Sequence, residues 1–407
     1  MNMTSTNKGW RVTFAGLGIN LALGVLYAWS IFKGEITSSI GAGGPFTWDP
    51  SAANDPYALC CLVFSFSMIL AGKVQDRFGP RLTAMIGGVL VGSGMVWASL
   101  STAYFSWLLG FGVLAGMGMG FGYAAATPPA LKWFPASKTG LVAGIVVAGF
   151  GLAPVYIAPL ATWLIAGWGL AGAMKFLGMA FIIVVGGLAI LLVNPPAGYI
   201  PANPAASSAT KAPLPGPSGS ILIQGRFWVL WITYFIAAGA GLMVIGSVAE
   251  MAKKSMGEYA FVVVACMAVG NAGGRIVAGL ISDRIGRKAT LAIMLGCQAL
   301  LMFLGMSLIG ADVSALLLVL LATGIGFNYG TNLSLFPSFT KDLWGLRSFG
   351  TNYGLLFTAW GVGGFALSRI SQMLQTSTGT FAASFLTAGI LLLGGLVLTV
   401  FGLARKT

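Results

Sequence analysis

The chain of 407 residues is 57% hydrophobic and only 8% charged, carries 22 Lys and Arg against 9 Asp and Glu for a net charge of +13, and contains no histidine. With a mean hydropathy of +0.89 and apolar runs of about 20 residues recurring from end to end, it reads as an all-α, polytopic membrane protein in a lipid bilayer and not as a β-barrel, whose spans would alternate over about 10 residues. The missing histidine removes the common metal ligand and the base of a Ser-His-Asp enzyme, and basic residues dispersed among short loops do not form a nucleic-acid-binding face.

In chain order the apolar runs predict twelve spans, at 10–32, 57–73, 82–101, 104–130, 140–165, 170–193, 226–252, 258–282, 289–309, 313–340, 349–372 and 381–403. The first continues past Trp29 without a small-residue cleavage site, so no cleavable signal peptide is expected. Lys8, Arg11, Lys73, Arg77, Arg81, Lys132, Lys138, Lys211, Arg226, Arg284, Arg287, Lys288, Lys341, Arg347, Arg405 and Lys406 fall on one side of this scheme, against Lys33, Lys175, Lys253 and Lys254 on the other. The positive-inside rule then places both termini and the central loop in the cytoplasm, with the chain in the cell membrane. Cys60, Cys61, Cys266 and Cys297 all lie in predicted spans and carry no disulfide or metal pattern, and no cofactor is expected.

Residues 194–224 are rich in Pro, Ala, Ser and Gly and lack apolar periodicity, which predicts a flexible cytoplasmic linker between two six-span halves, 1–193 and 225–407. The halves share a loop. Gly72-Lys-Val-Gln-Asp76-Arg77-Phe-Gly79-Pro-Arg81 repeats, with identical spacing, as Gly279-Leu-Ile-Ser-Asp283-Arg284-Ile-Gly286-Arg-Lys288. A fainter echo pairs LKWFPASKTGLVAG with LFPSFTKDLWGLRSFGTNYG. Duplication of six spans is the pattern of a transporter built from structural repeats. Within the loop, Gly72 and Gly279 permit close helix approach and Gly79 and Gly286 a tight turn. Asp76 and Asp283 are suited to accept from a neighbouring helix N-terminus, and Arg77 and Arg284 to hold carboxylates or helix C-terminal carbonyls across the seam, so the loops are expected to latch the cytoplasmic side. The competing reading is a turn that merely satisfies topology.

This loop and its second copy resemble the signature of the major facilitator superfamily over the whole chain. The resemblance implies twelve helices in two pseudo-symmetric bundles, a cavity at the membrane midplane and alternating access by rocking of the halves. No phosphate-binding Gly-x-x-x-x-Gly-Lys loop is present for ATP, so the energy source would be a gradient. GMGMGFG at 116–122 imitates a dinucleotide loop, but inside a span it reads as small-residue helix packing, and Pro128, Pro129, Pro154 and Pro159 as helix bends.

Arg275 is the candidate anchor for substrate. It precedes Asp283 by eight residues, about 12 Å along a helix, which puts it near the bilayer centre. A cation there costs roughly 2.5 kcal/mol or more, and such residues mark substrate or ion pathways. Asn271 lies one turn away on the same face, and one planar guanidinium suits one carboxylate. The alternative is that Arg275 bonds helix carbonyls or snorkels to the interface. Tyr27, Tyr123, Tyr234 and Tyr329 fall within spans; Tyr123 and Tyr329, in related places of the two halves, are the preferred additions, with Tyr27. Leu26, Ile145, Phe357 and Trp360 would shape an apolar pocket around an organic tail.

The segments NAGGRIVAGLISDRIGRK, GYAAATPPALKWFPASKTGLVAG, LYAWSIF and SFGTNYGLLFTAWGVGG resemble, more closely, the monocarboxylate transporter branch and its relatives, the oxalate/formate exchangers. In the monocarboxylate group an acidic residue stands four positions before the eighth-helix arginine; here Asn271 stands there. Its first-helix lysine is replaced by Leu26 or a neighbour, and the exchangers' eleventh-helix lysine by Trp360, which argues against a dianion. Glu250 is the only acid near a span interior. The resulting expectation is a secondary transporter, working as a monomer, that moves small monocarboxylates such as lactate or pyruvate by proton symport, with carboxylate exchange as the alternative. A proton carried on the substrate and an Arg275 that alternates between substrate and protein remain open routes for coupling. A membrane enzyme lacks a nucleophile–base constellation and a passive channel lacks a filter or charged ring.

Overall fold

The computed structural model describes residues 3–135, 138–196, 198–199, 201, 221–245, 256, 260–308, 314–345 and 348–403. Lys211, Glu250, Lys253, Lys254, Arg347, Arg405, Lys406 and most of the predicted linker lie outside the described residues.

In hydrocarbon every backbone N–H and C=O must find a partner, so an apolar run of this length folds as a helix. Twelve helical spans result among the described residues. The first, α1, runs as Met3–Leu23, a 3₁₀ stretch Gly24–Ala28, and Trp29–Gly41. Next come α2 at Asp55–Phe78 and α3 at Pro80–Ser99. A short turn Tyr104–Trp107, a π-helical segment Leu108–Ala115 and Gly116–Lys132 together make α4. The run Thr139–Ala189 holds two spans, α5 and α6, because Gly169 adopts φ 69° and breaks it. The second half comprises α7 at Gly225–Ile245, α8 at Ala260–Ile285, α9 at Arg287–Leu308, α10 at Ala315–Trp344, α11 at Phe349–Thr378 and α12 at Ala382–Gly402.

Ten continuous helices are long and apolar enough to cross a bilayer, Gly140–Ala189 counting once. The remaining span, α11, has the length but carries Thr351, Asn352, Thr358, Ser368, Arg369 and Ser371. Helices such as α1 outrun their predicted spans because hydropathy marks only the lipid-soluble portion, whereas Lys33 and Glu35 continue the same helix toward water.

Small residues let the helices touch. Within the first half a methyl group at Gly87 would strike Gly122 on α4, and one at Gly92 would strike Gly178 on α6; within the second, Gly274 meets Phe327 and Gly239 meets Gly363 in the same way. Two seams join the halves. Along the first, α2 lies on α11 from Gly72 against Gly350, through Met68 against Gly354, to Ser65 against Gly361, and an Arg369–Asp55 ion pair at 3.4 Å closes its far end. Along the second, α5 lies on α8 from Gly140 against Gly279, through Gly144 against Arg275, to Gly151 beside Arg275 and Asn271. Past Gly151 a cavity separates the two helices.

Candidate functional site

Where α5 and α8 part, a cavity of about 370 Å³ opens to the face opposite the repeated loops, at the small end of the roughly 300–1,000 Å³ typical of small-molecule sites. Leu26, Tyr27, Ser30 and Lys33 of α1 form one wall, Tyr57 of α2 and Gly151 and Pro154 of α5 a second, and Met267, Ala268 and Asn271 of α8 a third. Among the described residues Lys33 is the one charged side chain in this lining, and no described Asp or Glu borders it.

Arg275 sits directly behind the cavity floor. It is 0% exposed, ten residues from the loop end of α8, or roughly 15 Å at 1.5 Å per residue. Its Nε donates to Asn271 Oδ1 at 3.0 Å and its Nη1 to the Val147 carbonyl of α5, in the opposite half. Among the described residues Nη2 has no close hydrogen-bond partner, although the Tyr27 hydroxyl lies beside the guanidinium, and no described carboxylate pairs with it. The sequence offered carbonyl bonding and anion anchoring as alternatives; the geometry combines one carbonyl bond with one unused donor. Val147 was invisible to sequence reasoning because a backbone acceptor carries no side-chain signal. Gly151 makes room for the arrangement, since a methyl there would lie 3.2 Å from Arg275 Nε and 3.3 Å from Asn271 Cγ.

Two tyrosine groups flank the guanidinium, whose charge acts on the hydroxyls of both. On the cavity side the Tyr27 and Tyr329 hydroxyls share a 2.7 Å hydrogen bond between the halves, and Trp360 Nε1 donates to Tyr329 at 2.8 Å. Trp360, expected as apolar wall, therefore supplies a polar contact. On the other side Phe357 packs against Tyr123 at 5.4 Å, Tyr353 at 5.6 Å, Phe64 at 5.2 Å and Trp360 at 5.0 Å between ring centroids. Of the expected site residues, Leu26, Tyr27 and Asn271 line the cavity, while Arg275, Tyr329 and Phe357 lie beneath it. Tyr123 is on the far side of the aromatic layer, its hydroxyl near that of Tyr353. Ile145, one residue beyond Gly144 on α5, does not border the cavity: it is half-exposed, turned from the face that Gly144 and Gly151 present to Arg275.

The repeated loops close the opposite end. Gly79 (φ 87°) and Gly286 (φ 91°) end α2 and α8 in a backbone conformation that disfavours side chains. Asp76 then accepts from the N–H groups of Gly350 and Thr351, at 3.3 and 3.1 Å, and from Thr351 Oγ1 at 3.1 Å. Asp283 accepts from the N–H groups of Gly140 and Leu141, at 3.1 and 3.2 Å. Each carboxylate thus caps the first turn of a helix from the other half, α11 or α5, where unpaired donors and the helix dipole favour a negative charge. The arginines depart from expectation. Arg284 is exposed with no described hydrogen bond, and Arg77 lies over the Phe78 ring at 5.2 Å. One residue along a helix turns a side chain by about 100°, so the residue after each aspartate points away from the seam. Arg287, four residues on, reaches Asp283 at 2.5 Å and Asp342 at 3.0 Å instead.

The Major Facilitator Superfamily model matches residues 14–368. The oxalate:formate antiporter of Oxalobacter formigenes is 26% identical over 390 residues, covering 94% of this chain and 88% of that protein. Human monocarboxylate transporter 11 is 27% identical over 399 residues, covering 95% and 81%. Among solved structures, the proton:xylose symporter XylE superposes with a TM-score of 0.70 at 16% identity, covering 97% of this chain and 95% of that one; this likeness is one of fold.

Proposed function

We infer the function from one premise: the chain belongs to the major facilitator superfamily. It is a multi-pass membrane transporter of a small molecule and not an enzyme. Within that frame we propose a secondary carrier of small monocarboxylates of the lactate and pyruvate class, whose carboxylate is held by Arg275. The observation that carries this reading is a fully buried guanidinium that no carboxylate among the described residues pairs with, one side chain behind a small cavity. A buried charge left unpaired costs several kcal/mol, so a monoanion is its natural complement. The relatives' names, monocarboxylate transporter and oxalate:formate antiporter, point to the same substrate class.

In this reading the loop face is cytoplasmic in the cell membrane, the cavity faces outward, and halves 1–193 and 225–407 rock about the site as Asp76 and Asp283 engage or release. Proton symport is the proposed coupling: a carboxylate entering an apolar site has its proton affinity raised by desolvation and lowered by Arg275, so the substrate itself can bring the proton. A second reading, anion exchange, is favoured by Asn271 in place of a carboxylate beside Arg275.

The test is uptake of labelled L-lactate into proteoliposomes under an inward proton gradient, with and without a protonophore. Gradient-driven, protonophore-sensitive uptake supports symport, and uptake that responds only to preloaded carboxylate supports exchange. Arg275→Ala is expected to abolish binding, and Arg275→Lys to keep charge but lose bidentate geometry and most transport; retained affinity in the alanine variant would remove the anchor.

A further inference from the structure

A guanidinium only donates hydrogen bonds, so the groups that touch it must turn their acceptors toward it. Arg275 Nε donates to Asn271 Oδ1 at 3.0 Å. That bond fixes the amide: its oxygen faces the buried cation, and its N–H₂ group is left for the cavity that Asn271 lines. The same charge lies beside the Tyr27 hydroxyl, where it attracts the phenolic oxygen and repels the O–H hydrogen.

The direction of the Tyr27 hydroxyl follows from counting hydrogens. Trp360 Nε1 can only donate, and it donates to Tyr329 at 2.8 Å. The 2.7 Å bond between Tyr329 and Tyr27 uses one of the two hydroxyl hydrogens and leaves the other over. Were Tyr27 the donor, the hydrogen left over would be that of Tyr329, which is 0% exposed and does not border the cavity; a buried donor without an acceptor is costly. With Tyr329 as the donor, the hydrogen left over is that of Tyr27, which lines the cavity, where a ligand can accept it. The chain therefore runs from Trp360 N–H through Tyr329 O–H to Tyr27 O–H and ends in the cavity.

We propose that Tyr27 O–H and Asn271 N–H₂ make the hydrogen bonds to the substrate carboxylate in this conformation, that Arg275 supplies the charge from behind them, and that Trp360 and Tyr329 are positioning residues that aim the Tyr27 hydrogen. Two donors in front of a buried cation match a group with two acceptor oxygens and one negative charge. Each bond in the chain polarises the next in the same sense, which strengthens the last donor. Trp360 is 1% exposed and absent from the cavity lining, so it acts through Tyr329 and not by touching the anion. The proposal rests on the carboxylate reading above and assigns the contacts that the anion meets first.

Binding of L-lactate to the purified full chain is measured by calorimetry for wild type, Tyr27→Phe, Trp360→Phe and the double variant, with a melting temperature for each to verify the fold. Tyr27→Phe removes the donor and keeps the ring, and the dissociation constant is expected to rise about tenfold, the loss of one hydrogen bond to a charged group. Trp360→Phe keeps an aromatic ring against Phe357 but frees the Tyr329 hydroxyl to turn, and a rise of about threefold is expected. In the double variant the Trp360 change is expected to add nothing, because a positioning residue has no effect once the group it positions is gone. Unchanged affinity in Tyr27→Phe would overturn the proposal. So would a Trp360 effect that is absent in both backgrounds, or one that persists in full without the Tyr27 hydroxyl, which would make Trp360 a packing residue only. A wild-type chain that binds neither lactate nor pyruvate would instead remove the carboxylate reading, and the proposal with it.

Discussion

Replacing Asp283 by Asn is expected to open the loop face, and by more than the same change at Asp76. Asp283 is 8% exposed and joins two backbone N–H groups of α5 to Arg287. Asparagine keeps one acceptor, turns an N–H₂ donor toward a backbone donor, and loses the ion pair. With hydrogen bonds to charged groups contributing about 1.5–3 kcal/mol, a net loss of about 2–3 kcal/mol follows. That shifts the closed-to-open ratio of the loop face by roughly 30-fold to 150-fold. Asp76 makes three comparable contacts but is exposed, so solvent screening limits its loss to about 1 kcal/mol, a roughly fivefold shift. Spin labels at positions 77 and 284, in a background lacking the four native cysteines, report the separation of the halves by pulsed electron resonance. A distance distribution unchanged by Asp283→Asn, or a larger response to Asp76→Asn, would refute the argument that burial sets the strength of the two caps.

Arg287→Ala, which removes the partner of Asp283, is expected to widen the same distances, while Arg284→Ala stays within about 0.5 kcal/mol of wild type in a denaturation measurement. Gly72→Ala places a methyl in the Gly350 carbonyl and is expected to hold the α2–α11 seam apart, seen as loss of lactate uptake with retained expression and fold. Asn271→Asp installs a carboxylate beside Arg275. Ionised, it competes with substrate for the guanidinium; protonated, it does not. Lactate affinity measured by calorimetry is therefore expected to fall at pH 7 and to recover as pH is lowered, and a pH-independent affinity would show that Asn271 does not govern the anchor.

Much of this organisation is legible in single residues. The repeated loop located both aspartates, and their helix N-terminal partners are present in the fainter echo, as Gly140 in SKTGLVAG and Gly350 in SFGTNYG. Sequence could not pair them crosswise, because the spacing of a repeat says where copies occur and not which copy each one faces. Arg287 was passed over for Arg284 for a related reason: conformity to the motif drew attention to the shared arginine, while the helix turn directs the neighbouring position to the seam.

The repeated loop related the two halves; composition and hydropathy by themselves determined the helical membrane class and the twelve spans, because hydrocarbon admits only helices and closed barrels and continuous apolar runs of about 20 residues fit the helix. They also singled out Arg275 and Asn271, since a charge in such a segment is too costly to be incidental. Only the tertiary structure decided what surrounds that charge: a backbone carbonyl of the opposite half, a tyrosine pair above, and an aromatic layer of Phe64, Phe150 and Phe357 below. Those neighbours come from helices far apart in the chain, and their meeting is fixed by small-residue contacts at the seams, which no local pattern of residues encodes.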